Sequence, residues 1–485
     1  MKKYIFFILI VLGTSSCLNE FLEVEPISDI SSEIFWKSEK DVRAELNSAY
    51  TNIQYAYNSG FLNWFEARSD NFIGAPAGTY PLQNINFNKI DAALAACSWN
   101  EWYSVISSAN HALHFIPLMD NVMTETTRNH YLSEAYFLRA YAYFNLYRIW
   151  GDVPLITEPV LKKSEVIKPA KTDKTKIMEL INADLVEADR LVNTSFTGIF
   201  IYSPAALYAL TTDVAMWNHD YDKAILFSQK LVDLKLHTLD GVDFKLVCSN
   251  AETKDNIWTL KWSYVSNGRN QVTYVYYNSS SSIVPARPVL VKWDDPEYNT
   301  DVRRSSTLDS TNFWRYNINH FEANPQARIW KWSPGEFLNA DLVNEKYIPI
   351  YRLADILLLR AEALNKKGRY AEAITEMNKV RKRAKLADKT ILDYTDPITS
   401  QVDANLLENS ILQERQFELF GEGKRWFDLM RTGKAISAMN DFFDNYVAVY
   451  GGKGYVRFTQ EWQLYWPVNQ NILIENSNLK QTGDY

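Results

Sequence analysis

A pair of amphipathic helices in residues 351–385 is the feature that most constrains the fold of this chain. Apolar residues recur there every three or four positions, which is the period of a helix with one buried face. Gly368 interrupts the pattern between the two helices, and the small residues Ala361 and Ala373 fall on the facing stripes. An antiparallel helix pair with small residues at its contact is the layout of a tetratricopeptide repeat.

A second copy of this pattern lies upstream, where residues 205–217 lead into DYDKAI, which matches RYAEAI at 369–374. The periodicity also predicts helices over 39–55 (with Ser38 as N-cap), 99–119, 127–149 and 174–191, and further helices after the pair at 351–385 up to about residue 439. Between 241 and 347 the helical period is lost, and alternating residues predict short strands at 257–264 and 272–277. The sequence therefore predicts a mainly α-helical fold: a tetratricopeptide-like helical repeat scaffold with long irregular loop-rich insertions and minor β structure.

The first 16 residues have the features of a lipoprotein signal peptide. Lys2 and Lys3 precede an apolar run at 4–12, and small residues lead up to Cys17, although Thr14 stands where a lipobox usually has Leu. That run is too short for a bilayer, which needs about 20 residues. We therefore expect cleavage before Cys17 and attachment of lipid to its thiol; an ordinary signal peptide with a chance cysteine is the alternative.

The same patterns divide the chain into segments. The leader occupies 1–16, an N-terminal helical part spans 17–240, and a C-terminal part spans 241–485. The C-terminal part contains the loop-rich insert 241–347 and the helical repeat 351–439.

The net charge and the positions of cysteine and histidine argue against binding of nucleic acid, an anionic membrane surface or a metal ion. The formal charge of −7 provides no basic surface for nucleic acid or an anionic membrane. Cys97 and Cys248 lie far apart, so we expect two free, buried thiols. His111 and His114 are three residues apart but have no matching Cys or His partner, so no metal and no cofactor are expected.

The acidic cluster at 294–297 is the candidate for hydrolytic chemistry, because Asp294, Asp295 and Glu297 follow Trp293. Acid/base catalysis of glycoside hydrolysis needs a second carboxyl group at a defined separation, and no spacing rule identifies one here. We therefore interpret the cluster as a solvated turn and expect no enzymatic activity.

A charged stripe at Arg415, Glu418, Glu422 and Arg425 has spacings of three and four, as on one face of a single helix. A ligand-binding row is one interpretation. Phenylalanines interleaved with the stripe favour the other, an interhelical ion-pair network.

Aromatic residues in the irregular stretches are the best functional indication. The chain has 15 Trp, 29 Tyr and 24 Phe, and those in the insert alternate with Asn, Asp and Arg. Indole and phenol rings stack on the apolar face of a pyranose while polar neighbours bind its hydroxyl groups; packing in the core is the alternative for each ring. The predicted ligand-binding residues are Trp293, Tyr298, Trp314, Arg315 and Tyr316 in the insert, with Trp64 and Tyr80 in the first irregular stretch.

Three long motifs resemble the RagB/SusD family of nutrient-binding outer-membrane lipoproteins. They are RLADILLLRAEALNKKGRYAEAITEMNKVRKRA at 352–384, ERQFELFGEGKRWFDLMRTG at 414–433 and LYWPVNQNILIENSNLKQTGDY at 464–485. FLEVEPISDISSEIFWKSEKDVRAELNSAY and YLSEAYFLRAYAYFNLYRIWGDVPLI in the N-terminal part look like the family's opening and first helical pairs.

The resemblance implies a non-enzymatic protein that is lipid-anchored at the outer face of the outer membrane. It would capture oligosaccharides and act as a lid on a SusC-like TonB-dependent transporter. Binding residues vary between members of the family, so the resemblance assigns no residue roles. A surface glycoside hydrolase and a repeat adaptor that binds peptide or protein are the alternatives.

Overall fold

The computed structural model describes residues 35–74, 82–119, 121–248, 253–277, 283–308, 329–332, 346–449 and 453–485. Within these residues it contains 17 α-helices and four short strands. The predicted mainly α-helical class is therefore confirmed.

The N-terminal half contains seven helices, among them the four longest of the described residues. The seven are α1 (Glu39–Phe61), α2 (Leu82–Asn86), α3 (Asn100–Phe115), α4 (Glu125–Trp150), α5 (Lys174–Leu191), α6 (Pro204–Trp217) and α7 (Tyr221–Asp233). At the start of α1 the Asp41 carboxylate accepts a hydrogen bond from the Ser38 backbone N–H at 2.7 Å. This contact fixes the predicted helix start.

The C-terminal half begins with short elements and then returns to long helices. Its helices are α8 (Tyr264–Asn267), α9 (Gln271–Tyr277), α10 (Arg287–Trp293), α11 (Val302–Thr307), α12 (Leu353–Lys366), α13 (Tyr370–Arg383), α14 (Ala404–Glu418), α15 (Arg425–Arg431), α16 (Ala435–Phe442) and α17 (Gln470–Glu475). The strands are β1 (Phe72–Gly74), β2 (Asn256–Leu260), β3 (Ile283–Pro285) and β4 (Ile348–Arg352). β1 pairs antiparallel with β3, and β2 pairs antiparallel with β4.

The long helices pack on one another largely in chain order. α1 contacts α3, α3 contacts α4, α4 contacts α5, and α6 contacts α7; α12 then packs on α6 and α7 as well as on α13 and α14. Ala361 and Ala373 are fully buried, whereas Ala371 is exposed, as expected for small residues at the α12–α13 contact. Gly368 adopts φ +72° in the turn between these two helices. A positive φ is readily available to glycine, which explains the residue at this turn.

The strand predicted at 272–277 is wrong: these residues form helix α9. The Asn270 side-chain oxygen accepts from the backbone N–H of Val272 at 3.1 Å and of Thr273 at 3.3 Å, so it satisfies the first free donors of the helix. Val272, Thr273 and Tyr276 are the buried positions. Their spacing fits a helix face, and the alternation in the sequence was coincidental.

The prediction that the charged stripe at 415–425 lies on one face of a single helix is also wrong. α14 ends at Glu418, and Gly421 and Gly423 adopt φ +77° and +76° before α15 begins at Arg425. Two residues with positive φ cannot continue a right-handed helix, so the charged stripe spans a helix end, a turn and a second helix.

A buried ion network joins this turn to the insert and to α13. It contains five acids and five bases among the described residues: Asp255, Asp301, Glu414, Glu418, Glu422, Arg303, Lys331, Arg352, Arg381 and Arg383. Glu418 pairs with Arg352 at 2.9 Å and also with Arg383. Burial alone would raise the pKa of Glu418, but its arginine partners lower it well below the usual range. The interpretation of the stripe as an ion-pair network is confirmed.

Candidate functional site

Three stretches outside the described residues, 75–81, 278–282 and 309–328, are flanked by described residues that lie together, and a fourth, 333–345, follows directly after Trp332 of the same group. Gly74 pairs with Ile283 across β1 and β3. The Ile329 backbone N–H donates to the Tyr276 carbonyl at 3.1 Å, and Ile329 also forms a β-bridge with Leu308. We call the described residues 72–74, 276–277, 283–285 and 329–332 the loop junction.

Buried aromatic rings form the base of the loop junction. Tyr276 stacks on Phe72 with ring centroids 5.6 Å apart and lies 5.9 Å from the ring of Trp332. The Trp332 indole N–H donates to the Gly421 carbonyl at 3.2 Å. This packing attaches the junction to the turn that carries the ion network.

A close approach of α2 to β1 shapes one side of the junction. A Cβ on Gly74 would overlap the Gln83 backbone. Only glycine therefore allows the chain to return across the end of β1 at this point.

Polar side chains form a row beside the junction, between β1 and helices α10, α14 and α15. Arg425 makes a two-point contact with Asp70, at 2.8 and 2.9 Å. The Gln416 amide donates to the Asn71 side-chain oxygen at 2.9 Å, and the Lys292 ammonium lies 3.4 Å from the Gln416 oxygen. Burial would raise the pKa of Asp70, but Arg425 lowers it, so the pair stays ionised. Asn71 and Gln416 are at most 2% exposed, so the row is a set of polar groups that satisfy one another beside β1.

Two of the predicted binding residues, Trp293 and Tyr298, are brought together, but on a core residue. The Trp293 ring stacks on Phe417 at 4.5 Å with an interplanar angle of 4°, and Tyr298 contacts Phe417 edge-on at 4.8 Å. The indole N–H of Trp293 donates to Asp301 at 3.1 Å. Trp293 is fully buried and Tyr298 half-buried. Trp293 therefore packs in the core rather than presenting a face to a sugar, and the prediction for it does not fit the structure.

Trp64 is likewise a core residue. It is 1% exposed, donates to the Ala96 carbonyl at 2.6 Å, and contacts Trp102 and Trp150. Its burial also argues against the role predicted for it. The remaining predicted residues, Tyr80, Trp314, Arg315, Tyr316 and the lipidation site Cys17, lie outside the described residues.

The acidic cluster after Trp293 is engaged in local contacts. Asp294 pairs with Arg304, and Asp295 accepts from the Glu297 backbone N–H at 2.9 Å. Glu297 itself pairs with Arg381 at 3.0 Å and Lys389 at 2.9 Å. These contacts agree with the interpretation of the cluster as a structural turn.

The cysteines and histidines considered as candidate metal ligands have structural surroundings. Cys97 and Cys248 are buried and free, as predicted. His111 lies 3.6 Å from Glu45, whose hydrogen bond raises the pKa of the histidine. His114 packs edge-on against Phe115. In the part of the chain that the structure describes, no group of three or more His, Cys, Asp and Glu residues could hold a metal ion, and no helix there could cross a membrane.

The polar row was not predicted from the sequence, apart from Arg425 as a member of the charged stripe. Its members come from residues 70–71, 292, 416 and 425, which are brought together only by folding. The run of polar residues at 68–71, directly before β1, was the one local sequence feature that indicated the polar row.

Two family models match the chain. The model described as the SusD family matches residues 339–485, and the model described as starch-binding associating with outer membrane matches residues 20–214. Among curated relatives, SusD-like protein P38 of Formosa agariphila is 29% identical over all of both chains. SusD-like protein P2 of the same organism is 27% identical over 89% of this chain and 91% of its own.

Solved structures share the fold. A SusD superfamily protein from Parabacteroides distasonis superimposes with a TM-score of 0.75 at 20% identity, covering 92% of this chain and 99% of its own. A laminarin binding SusD-like protein superimposes with a TM-score of 0.72 at 22% identity, covering 93% and 100%. From the two family models, the full-length relatives and the shared fold, we conclude that the chain belongs to the SusD/RagB family.

Proposed function

We propose that the protein is a non-catalytic binding protein of the outer-membrane surface that captures oligosaccharides. It would be anchored by lipid on Cys17 and deliver its ligand to a SusC-like TonB-dependent transporter. The observation that carries this proposal is the family match at both ends of the chain, with full-length similarity to SusD-like proteins. One family description names starch and the outer membrane, and one structural neighbour is named for laminarin binding.

The loop junction supports a site at the irregular half of the molecule. Phe72, Tyr276 and Trp332 are fully buried there, so they hold the residues that flank the irregular stretches in place and do not themselves offer a ring to a ligand. A sugar site needs exposed rings, because hydroxyl hydrogen bonds nearly cancel against those lost to water and ring stacking supplies much of the net affinity. We propose Tyr298 in the described part, and Tyr80, Trp314, Arg315 and Tyr316 outside it, as the binding residues.

The placement of the acids weighs against the hydrolase alternative. The acidic cluster at 294–297 is engaged in ion pairs and a turn, and the buried acids of the ion network are paired with arginine and lysine. SusD-like proteins are, as a family, binding proteins rather than enzymes. Release of sugar from a bound oligosaccharide by the purified protein would show that it is a hydrolase.

A glycan array followed by calorimetry tests the proposal. We expect Trp314→Ala, Tyr316→Ala and Tyr80→Ala each to weaken binding of the best array ligand several-fold while leaving the melting temperature unchanged. Tyr55→Ala is the matched control, because Tyr55 is 55% exposed on α1 and takes no part in the loop junction. For a neutral glycan, binding should also be nearly insensitive to salt.

Three outcomes would contradict the proposed site or function. If all three variants bind as tightly as the Tyr55→Ala control, the aromatic site lies elsewhere. If no glycan on the array binds and peptides do, the repeat-adaptor alternative holds. Fatty-acid labelling that persists in Cys17→Ala would overturn the anchor.

A further inference from the structure

A cleft of about 660 Å³ lies between the C-terminal tail and the connection from α4 to α5. One wall is formed by residues 150–152 and 170–174 and the other by residues 461–465 and 478–483. The tail is held in place by hydrogen bonds, from the Trp466 backbone N–H to the Ile149 carbonyl at 2.8 Å and from the Trp150 indole to the Pro467 carbonyl at 3.1 Å. This tail cleft shares no residue with the loop junction, and its volume is within the range of small-molecule sites.

Two half-buried aromatic rings line the tail cleft, those of Trp462 and Tyr465. Tyr485 contacts Trp462 edge-on at 4.9 Å and donates its hydroxyl to the Tyr465 carbonyl at 3.2 Å. The Trp462 ring is therefore held by Tyr485, and the Tyr465 hydroxyl accepts from the Lys174 ammonium at 3.3 Å. Part of the surface of both residues stays open, as an apolar sugar face requires.

The acids of the tail cleft are engaged by the protein itself. Glu461 pairs with Lys174 at 3.2 Å. Asp152 accepts from the Lys174 backbone N–H, and Asp173 accepts from the Thr175 backbone N–H, each at 2.8 Å.

Two ammonium groups that line the cleft, Lys171 and Lys480, have no ion-pair partner among the described residues. The Lys171 ammonium donates to the Thr482 hydroxyl at 2.9 Å, which leaves donors available. Burial lowers the pKa of Lys171 to about 8, because the ammonium is partly desolvated and Asp152 compensates only in part. An anionic group in the cleft would supply the missing partner.

We propose that the tail cleft is a second binding site, which takes an acidic saccharide unit. The anionic substituent of the sugar would contact Lys171 and Lys480, and its ring would stack on Trp462 or Tyr465. A saccharide fits better than a simple anion, because the rings and the volume exceed what an ion needs. The carboxylate of a uronic acid and the sulfate ester of a sulfated sugar supply the same chemistry.

Calorimetry on the full-length protein in detergent tests this site with four probes: trigalacturonic acid, trimannuronic acid, a sulfated galactotriose and neutral galactotriose. We expect at least one acidic trisaccharide to bind and the neutral one to bind at least tenfold more weakly at this site. Comparison of the uronates with the sulfated sugar distinguishes carboxylate from sulfate recognition. Lys171→Met and Lys480→Met should each reduce binding of the acidic sugar several-fold, and raising the salt should do the same.

Lys176→Met is the matched control, because Lys176 is exposed on α5 and does not line the cleft. Melting curves check that each variant is folded, and the Lys480→Met variant keeps the test valid if Lys171→Met is unstable. The proposal is overturned if the cleft variants bind the acidic sugars as the control does. It is also overturned if no acidic probe binds, or if inorganic sulfate competes as well as the sulfated sugar. None of these outcomes affects glycan capture at the loop junction, which is tested by Trp314→Ala and Tyr80→Ala.

Discussion

Two parts of the interior of this protein are built on opposite principles. Around α1, α3 and α4 the core is aromatic: Trp102 lies 6.2 Å from Trp64, Trp64 lies 5.4 Å from Trp150, and Tyr141 lies 4.6 Å from Trp258. Around the turn after α14 the interior contains the ion network, in which Glu418 and Arg352 are at most 1% exposed. Uncharged rings gain from many small contacts, whereas each buried charge depends on a few particular partners.

The difference predicts how each region responds to substitution. An aromatic pair contributes about 0.5–1.5 kcal/mol beyond its buried area. Loss of one ring–ring contact therefore removes only a small part of the stabilisation that the aromatic core provides. Removal of one partner from a buried ion pair leaves an uncompensated charge, which typically costs about 3–5 kcal/mol. Loss of one charge is therefore expected to destabilise the turn after α14 more than loss of one ring–ring contact destabilises the aromatic core, and the loop junction rests on this turn through Trp332 and Gly421.

The largest effect is expected for Glu418→Gln. Arg352, Arg383 and Arg303 all face this carboxylate, so its neutralisation should lower the free energy of unfolding by about 3–5 kcal/mol. Urea denaturation measures the change. Glu372→Gln, at an exposed pair with Arg369, should cause no measurable change. Equal effects of the two variants would mean that the buried ion pair of Glu418 contributes no more to stability than the exposed pair of Glu372.

Trp293 contacts both kinds of interior, because its ring stacks on Phe417 and its indole N–H donates to Asp301 of the ion network. Trp293→Ala removes both contacts. The cavity should cost about 3–5 kcal/mol of stability. Trp293→Phe keeps a ring against Phe417 and loses the hydrogen bond and part of the ring volume, so a smaller cost of about 1–3 kcal/mol is expected. Thermal and urea denaturation compare the two variants. An unchanged stability of Trp293→Ala, together with weakened glycan binding, would restore the role predicted from the sequence.

The pH dependence of stability sharpens the comparison at Glu66, a fully buried acid that contacts the same turn. Its carboxylate accepts from the Gly423 backbone N–H, and burial raises its pKa to about 8. The folded state therefore holds a proton that the unfolded state loses near its ordinary pKa of 4.5. Stability from this group is present below that value and is lost as the pH rises towards 8.

Glu66→Gln should remove this pH dependence, because the amide keeps an acceptor for Gly423 and cannot ionise. Between pH 6 and pH 7.5 the wild type should lose about 2 kcal/mol more stability than the variant, from about 1.4 kcal/mol per pH unit. Urea denaturation of both proteins at the two pH values gives this difference in stability loss. The contributions of other titrating groups are the same in both proteins and cancel. Parallel pH profiles would show that Glu66 is ionised in the folded protein.

The smallest effect is expected in the helical repeat, away from both regions. Ala361→Leu adds volume at the buried α12–α13 contact and should cost about 1–3 kcal/mol. Ala371→Leu adds the same volume at an exposed position and should change stability by less than about 0.5 kcal/mol. Melting temperatures of the two variants provide the comparison, and a matching decrease in both would mean that the helices pack in another register.

The helical scaffold could be predicted from local sequence patterns, because helix formation depends on neighbours three and four residues apart. The prediction of α5 at 174–191 agrees with the structure at both ends, and Gly368 was placed correctly at the turn of the repeat. The ion-pair character of the charged stripe also followed from the sequence.

Which aromatic rings are buried and which polar groups meet depends on long-range packing, which local sequence patterns do not reveal. Trp64 and Trp293 have the same local features as a surface platform would, but their burial depends on Trp102, Trp150 and Phe417, which are distant in the sequence. The polar row and the tail cleft join segments more than 300 residues apart, as in the contact of Lys171 with Thr482. Local periodicity specifies the secondary structure of a segment, whereas a binding surface depends on where the rest of the chain comes to lie.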